Sequence, residues 1–312
     1  MKYEDRIKGM LYGLIVGDAL GAQVENAVRG TFYVSDMIGR GDFDYPAGTW
    51  SDVSSMSLCL VENIIDEGDA SDLMDKFLSF YEEGHLTPFD KSFDVGPKLI
   101  DAFMRYKLEG VAASEAGGNS YYENGNGALM RISPLVPEFI KLEYDFDTRF
   151  SKMQEITHLT HRNPISDLGC IIYLEIIRNI YLGYNKDDSL ENTRNTIIEH
   201  LSYSPYLENF DSFNYLFTAA YEFESINNIK ASGYIVESLE AVIFCFYNFN
   251  NYTDCILNAI NLGLDTSTTG SVTGALAGSY YGIEDVPLKW QYKLIRHTLI
   301  DRLIIKYIEK TI

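Results

Sequence analysis

Apolar positions recur at helical intervals along most of the chain. In residues 3–25, Ile7, Met10, Leu11, Leu14 and Ile15 fall three and four apart, which predicts a first helix. A loop rich in glycine, aspartate and aromatics fills residues 26–50. Met56, Leu60, Val61, Ile64 and Ile65 then predict a second helix, with Ser51 or Asp52 as its N-cap. Leu73, Phe77 and Phe80 mark a third, opened by Asp69 or Ser71 and stopped at Gly84. A loop over 85–97 leads into a helix ending near Leu108. Gly117-Gly118-Asn119 and Asn124-Gly125-Asn126-Gly127 then bracket a polar segment, which is either a surface connection or a cradle whose backbone amides face a ligand.

The helical signal returns at Ala128, is interrupted by Pro134 and Pro137, and resumes over 150–161. Leu168, Ile171, Ile172, Ile176 and Ile180 mark a buried helix. Residues 185–195 read as a polar surface loop with a helix start, and 203–213 as an irregular aromatic stretch. Helices are predicted over 214–225, 233–247, 253–262 and 288–309. Residues 31–34 allow one short strand but not a sheet, and no repeat or low-complexity tract is found. The fold class is therefore all-α, one domain over residues 1–312, with many helices around a central pair.

That pair is suggested by glycine. Gly9, Gly13, Gly17 and Gly21 follow one another every fourth residue, and so do Gly270, Gly274, Gly278 and Gly282. Each glycine within a helix costs about 0.5–1 kcal/mol relative to alanine, so the stripes call for a close neighbour. Either the two stripes meet, or each faces a different partner. Antiparallel packing of one on the other would set Asp18 and Glu25 beside the loop carrying Asp265.

Composition narrows the picture. The chain is 46% hydrophobic, as globular proteins are. Its net charge of −20 disfavours non-specific binding to nucleic acid or anionic membrane, while leaving room for a small anion in a local pocket. Cys59, Cys170, Cys245 and Cys255 form no CxxC pair and lie far apart or on apolar patterns, which points to reduced thiols and a cytoplasmic location. No signal peptide or membrane-spanning run is expected. The chemistry concentrates in Asn261-Leu262-Gly263-Leu264-Asp265-Thr266-Ser267-Thr268-Thr269-Gly270, where a carboxylate and several hydroxyls share one loop. Oxygen donors of this kind suit a hard cation such as Mg²⁺ or Mn²⁺.

Gly13-Leu14-Ile15-Val16-Gly17-Asp18-Ala19-Leu20-Gly21, followed by Glu25, resembles the opening motif of the ADP-ribosylglycohydrolases, the group that includes dinitrogenase reductase-activating glycohydrolase. Residues 48–60, 84–97, Gly125-Asn126-Gly127-Ala128-Leu129-Met130-Arg131 with Pro134, Thr160-His161-Arg162-Asn163-Pro164 and residues 263–282 match in the same order. The resemblance implies a multi-helix orthogonal bundle that cleaves ADP-ribose from a modified protein or other acceptor using two Mg²⁺ or Mn²⁺ ions. It further implies metal ligation at Glu25, Ser51, Asp52, Asp265 and Thr268, with Glu25 and Asp52 catalytic. Substrate contacts are implied at Asp94, Gly96, Gly125, Asn126, Gly127 and His161, with Tyr121 and Tyr122 as candidates to stack on adenine. Asp18 is expected to be a buried structural carboxylate, and Arg131 to pair with such a group rather than with substrate.

The pattern breaks twice, since Val53 and Ser267 stand where the resemblance expects aspartates. Valine cannot ligate a metal and serine does so weakly, so one firmly held ion at most, and poor hydrolysis or none, is the expectation. The alternative is a relative that binds ADP-ribose, an ADP-ribosylated protein or an ADP-ribosyltransferase without turnover. A purely structural use of the fold is a third reading.

Overall fold

The computed structural model describes residues 1–39, 44–120, 122–202, 204–218 and 224–312. In chain order its α-helices are α1 (Tyr3–Gly21), α2 (Asp52–Ile65), α3 (Ala70–Glu83), α4 (Pro97–Glu109), α5 (Leu135–Lys141), α6 (Phe146–Thr157) and α7 (Pro164–Tyr181). They continue with α8 (Lys186–Leu201), α9 (Leu207–Phe210), α10 (Ile235–Asn248), α11 (Tyr252–Ile260), α12 (Thr266–Tyr281), α13 (Leu288–Gln291) and α14 (His297–Thr311). No strand occurs among the described residues; isolated bridges join Gly118 to His161 and Gly125 to Tyr234. The fold is all-α, as the periodicity predicted.

Local chemistry explains most helix ends. Ser51 caps α2, its hydroxyl accepting the Val53 N–H at 3.3 Å. Asp69 and Asp72 form a capping box at the start of α3, and Gly84 ends that helix at φ 74°. Two stretches differ from expectation. Residues 186–201 are one continuous helix, not a surface loop, because Asn185 caps it and its acidic start favours a helix N-terminus. Only a thin apolar line, with Leu190, Ile197 and Leu201, is buried there, so the periodic signal is weak. The expected helix over 214–225 is instead a 3₁₀ segment, Asp211–Phe217. Phe210, Phe213 and Leu216 are all buried at three-residue spacing, which matches the 3₁₀ period and not 3.6; residues 219–223 lie outside the described set. The short strand allowed at 31–34 is also absent. The Asn261 side-chain amide takes the place of a strand neighbour, accepting the Val34 N–H at 2.8 Å and donating to the Val34 carbonyl at 2.9 Å.

The centre of the bundle is α1 lying antiparallel on α12. A Cβ built on Gly13 would sit 2.3 Å from the Gly274 carbonyl oxygen, and one on Gly17 would sit 2.1 Å from that of Gly270. Gly9 meets Gly278 in the same way, and Gly21 meets Thr266. The two stripes therefore face each other, and backbone touches backbone along the seam. Gly282, which ends α12 at φ 81°, closes the seam: a Cβ on Gly9 would also lie 2.8 Å from the Gly282 carbonyl carbon, and Gly282 turns its own free face to Met1. One apolar cluster surrounds the pair and draws on residues from Ile7 to Ile308.

Candidate active site

The seam delivers two carboxylates to two helix N-termini. Asp18, near the end of α1, is fully buried. It accepts the Ser51 N–H at 2.9 Å, the Ser51 hydroxyl at 2.7 Å, the Ser54 N–H at 3.0 Å and the Ser54 hydroxyl, so it closes the first turn of α2. Glu25, four residues past α1, accepts the Thr266 hydroxyl at 3.0 Å and the Ser267 N–H at 2.7 Å at the start of α12. Between these points opens a cavity of about 520 Å³, lined in part by Glu25, Asp52, Asp94, Asn126, His161 and Asp265. That size suits a ligand of several rings.

The opposite wall is tied by its backbone. The Asn126 N–H donates to the Gly233 carbonyl at 3.0 Å, and Ile235 N–H to the Asn124 carbonyl at 3.2 Å. The Asn126 side chain then bridges, donating to Ser238 Oγ and to Asp265 Oδ2, both at 2.7 Å. Asp265 sits in a bend where Gly263 and Leu264 both have positive φ, 81° and 64°. Leucine pays about 1–2 kcal/mol there, offset by the hydrogen bonds that join Leu264 to Asn26 and Ala27. Asn26 and Asp94, also on the cavity wall, share the left-handed conformation.

Electrostatically the site is short of positive charge. Burial, then the charge of Asp265, pushes Glu25 up to about 8. Burial, then the nearby Asp94, Asp18, Asp265 and Glu25, raises Asp52 well above the carboxylate range. Burial also raises Asp265, against the hydrogen bond from Asn126, and brings Asp18 to about 6. Native carboxyls of this kind bind protons more tightly than the unfolded chain does, so their contribution to stability falls as pH rises through the raised values. His161, held down to about 3 by burial and then by Arg131, acts oppositely, but only below its unfolded value of 6.5. Between pH 6.5 and 8 the raised carboxyls Asp52 and Glu25 therefore set the slope, with Glu240, pushed up to about 7, adding in the same direction. In a chelator, the melting temperature is expected to fall across that window, and Glu25→Gln to flatten the fall. A melting temperature that rises from pH 6.5 to 8 would contradict this charge distribution.

Three carboxylates and a hydroxyl on one cavity, Glu25, Asp52, Asp265 and Thr268, have the chemistry to hold a divalent cation. Glu25, Asp52 and Asp265 line one cavity with raised affinities for protons, and a dication there would return them to the ionised form. Their charge does not suffice for two such ions. Among the described residues no three carboxylate, histidine or cysteine side chains are grouped closely enough to hold a metal by themselves. Val53 is buried in the apolar core, and Ser267 brings only a hydroxyl to the cavity.

Of the residues singled out in the sequence, Glu25, Asp52, Asp94, Gly96, Gly125, Asn126, Gly127, His161, Asp265 and Thr268 all line the cavity. Ser51 does not. Its hydroxyl donates to Asp18 and accepts from Val53, which turns it into the wall behind the site. Asp18 is a buried structural carboxylate, as expected. Among the described residues no carboxylate hydrogen-bonds Arg131; its hydrogen bonds go to the Gly127 and Ile156 carbonyls and to Thr160 Oγ1. Tyr122 is exposed, and Tyr121 lies outside the described residues. Sequence reading missed Lys98, a cation on the cavity wall in the first turn of α4, as well as Asn26, Leu264 and Gly233. Lys98 directly follows Gly96-Pro97, and that helix-start signal was the one available clue.

Comparison with known proteins gives a consistent picture. The family model described as ADP-ribosylglycohydrolase matches residues 1–311. The chain is 30% identical over 302 residues to ADP-ribosylarginine hydrolase Tri1 of Serratia proteamaculans, covering 96% of this chain and 78% of that protein. It is 27% identical to the ADP-ribosyl-dinitrogen reductase glycohydrolase of Rhodospirillum rubrum, covering 93% and 90%. A solved structure titled ADP-ribosylglycohydrolase-related protein complex superposes with a TM-score of 0.82 at 28% identity, covering 100% of this chain and 99% of that one.

Proposed function

Since the chain belongs to the ADP-ribosylglycohydrolase family, which depends on divalent metal, we propose that it hydrolyses the glycosidic bond between ADP-ribose and a modified protein, with arginine the linkage to test first. The observation that carries this reading is the convergence of Glu25, Asp52 and Asp265, from three distant parts of the chain, on one cavity faced by Gly125, Gly127 and His161. We take residues 1–312 as one domain acting in the cytoplasm. In line with the second reading's partners, the modified protein, or the ADP-ribosyltransferase that modifies it, is the macromolecule that docks at the cavity mouth.

Glu25, Asp52 and Asp265, with the Thr268 hydroxyl, would hold Mg²⁺ or Mn²⁺, and Ser51, whose hydroxyl donates to Asp18, stands behind the site. When bound, the cation supplies Lewis-acid polarisation of the ribose oxygens. Glu25 is fixed through Oε2 by Thr266 and Ser267 and, once ionised, takes the proton of the attacking water. Asp52 stabilises positive charge developing on the ribose ring. Asn126 holds Asp265 in place. Backbone amides at Gly96, Gly125 and Gly127 and the Lys98 ammonium are the donors offered to a diphosphate in a chain of net charge −20.

The test is release of ADP-ribose from an ADP-ribosylated arginine protein by the purified chain, with Mg²⁺ or Mn²⁺ and with chelator. Slow, metal-dependent release that Glu25→Gln lowers by about 10²-fold or more is expected. Tight ADP-ribose binding without release in either metal would overturn hydrolysis in favour of binding alone.

A further inference from the structure

Arg131 is fully buried beside the site, and no carboxylate among the described residues hydrogen-bonds it. Its guanidinium lies 5.1 Å from the centre of the Phe77 ring. One arm donates to the Gly127 carbonyl; the other donates to the Ile156 carbonyl at 3.3 Å and to Thr160 Oγ1 at 2.7 Å. A guanidinium can only donate, so Thr160 Oγ1 accepts in that contact. The Thr160 hydroxyl has one further partner, His161 Nδ1, at 2.8 Å. Its own proton finds an acceptor only at Nδ1, since the reverse arrangement, with Nδ1–H donating to Oγ1, would leave the buried hydroxyl hydrogen unpaired. That nitrogen must be bare, and the neutral ring carries its hydrogen on Nε2.

The other face of the ring completes the picture. His161 lines the cavity, and Nε2 has no protein hydrogen-bond partner among the described residues. The ring covers the glycine wall: a Cβ on Gly127 would lie 2.6 Å from Cε1 and 3.1 Å from Nε2, and one on Gly125 would lie 3.5 Å from Nε2. The backbone is fixed too. His161 N–H donates to the Thr157 carbonyl at 2.8 Å, and Arg162 N–H to the Gly118 carbonyl at 2.7 Å.

We infer that Arg131 and Thr160 are positioning residues that lock His161 as a neutral Nε2–H donor aimed into the cavity, where it serves an acceptor-only oxygen of an anionic ligand such as a diphosphate. The identity of that ligand rests on the glycohydrolase reading; the lock itself does not. The charged groups around the ring agree with it. Burial and then Arg131 disfavour the imidazolium, Lys98 adds to this, and Glu123 opposes it. A neutral donor has a specific use in a cavity lined by carboxylates. An imidazolium would attract Glu25 or Asp52 and lose its charge as pH rises, whereas Nε2–H keeps one direction and one role throughout. The lock also accounts for glycine at 127, since any side chain there would displace the ring.

The experiment is nitrogen NMR of the ligand-free protein labelled in its histidine rings, recorded from pH 8 to 5. The expected spectrum shows His161 neutral throughout, hydrogen on Nε2 and Nδ1 bare. Thr160→Val, which keeps the shape and removes the hydroxyl, should give mixed tautomers, and Thr160→Ser should restore the native pattern. Calorimetry with ADP-ribose should then show about tenfold weaker binding for Thr160→Val, recovered in Thr160→Ser. Hydrogen on Nδ1 in the native protein, or a Thr160→Val spectrum identical to native, would overturn the lock. A native protein with the expected tautomer and no affinity for ADP-ribose would leave the lock standing and remove the glycohydrolase reading instead.

Discussion

Gly13→Leu and Gly274→Leu are each expected to leave no folded protein in the soluble fraction. Even one methyl has no room at these positions. The Cβ of alanine at 13 would lie 2.3 Å from the Gly274 carbonyl oxygen, and at 274 it would lie 2.1 Å from that of Gly13. Both obstacles are main-chain atoms of helices buried on every side, so neither side can yield by rotating a side chain. Overpacking of this kind costs about 1–3 kcal/mol or more for small additions, and the whole stability of a domain is about 5–15 kcal/mol. The alanine variants are the quantitative probe. In urea unfolding, Gly13→Ala and Gly274→Ala should lose more stability than Gly183→Ala. Gly183 has open space around it and pays only for its φ of 96°, about 1–2 kcal/mol. Unchanged midpoints for the two seam variants would show that the helices stand farther apart than described.

Restoring carboxylates at 53 and 267 is expected to produce the second large effect, a gain. Ser267 lines the cavity, and its N–H already holds Glu25. Without metal, Ser267→Asp adds charge beside Glu25 and Asp265 and should lower the melting temperature. With Mn²⁺ the loss should reverse, because an ion present at about 100 times its Kd contributes about 2.7 kcal/mol. Val53→Asp is harsher, for Val53 is packed in the apolar core, and a buried unpaired carboxylate costs several kcal/mol. The double variant should therefore depend on metal for its stability, bind two ions by calorimetry where the parent binds one, and release ADP-ribose about 10²-fold faster. Two tightly bound ions in the parent, or a double variant that binds no more metal than the parent, would refute this account of the departures at 53 and 267.

These expectations show which parts of the molecule were legible in its sequence. The seam could be read because its requirement, no side chain, is written as glycine at fixed intervals; the register could not, since Thr266 replaces a glycine opposite Gly21. Glu25 and Asp265 could be read together because the glycine stripes set them side by side, whereas Asp52, at a helix start where a cap suffices to explain it, was read through the family resemblance. Ser51 was misplaced because a hydroxyl next to an N-cap can turn either way, and only the position of Asp18 decides which. The 3₁₀ segment at Asp211–Phe217 escaped because its three-residue spacing repeats too few times in so short a run to stand out. The buried pair of Arg149 and Glu175, joined at 2.6 and 3.0 Å, left no trace at all, as its partners lie on different helices and read as ordinary surface charges.

The meeting of α1 with α12 also sets a timetable for the chain's birth. The hydrogen bond from Thr266 Oγ1 to the Gly21 carbonyl spans 245 residues. At about 5–20 residues per second, a ribosome needs on the order of tens of seconds to make that length. Through that interval α1 has emerged with its glycine face bare, and the helices made before α12 that touch it, α2 and α11, cover it only in part. Glu25 likewise waits for the Ser267 N–H that will hold it. Folding is thus committed late, through a contact of very long range, which slows it and lengthens the exposure of a sticky nascent segment to chaperones and aggregation. A translation arrest anywhere before residue 266 is expected to leave a chain with neither a centre nor a catalytic cavity.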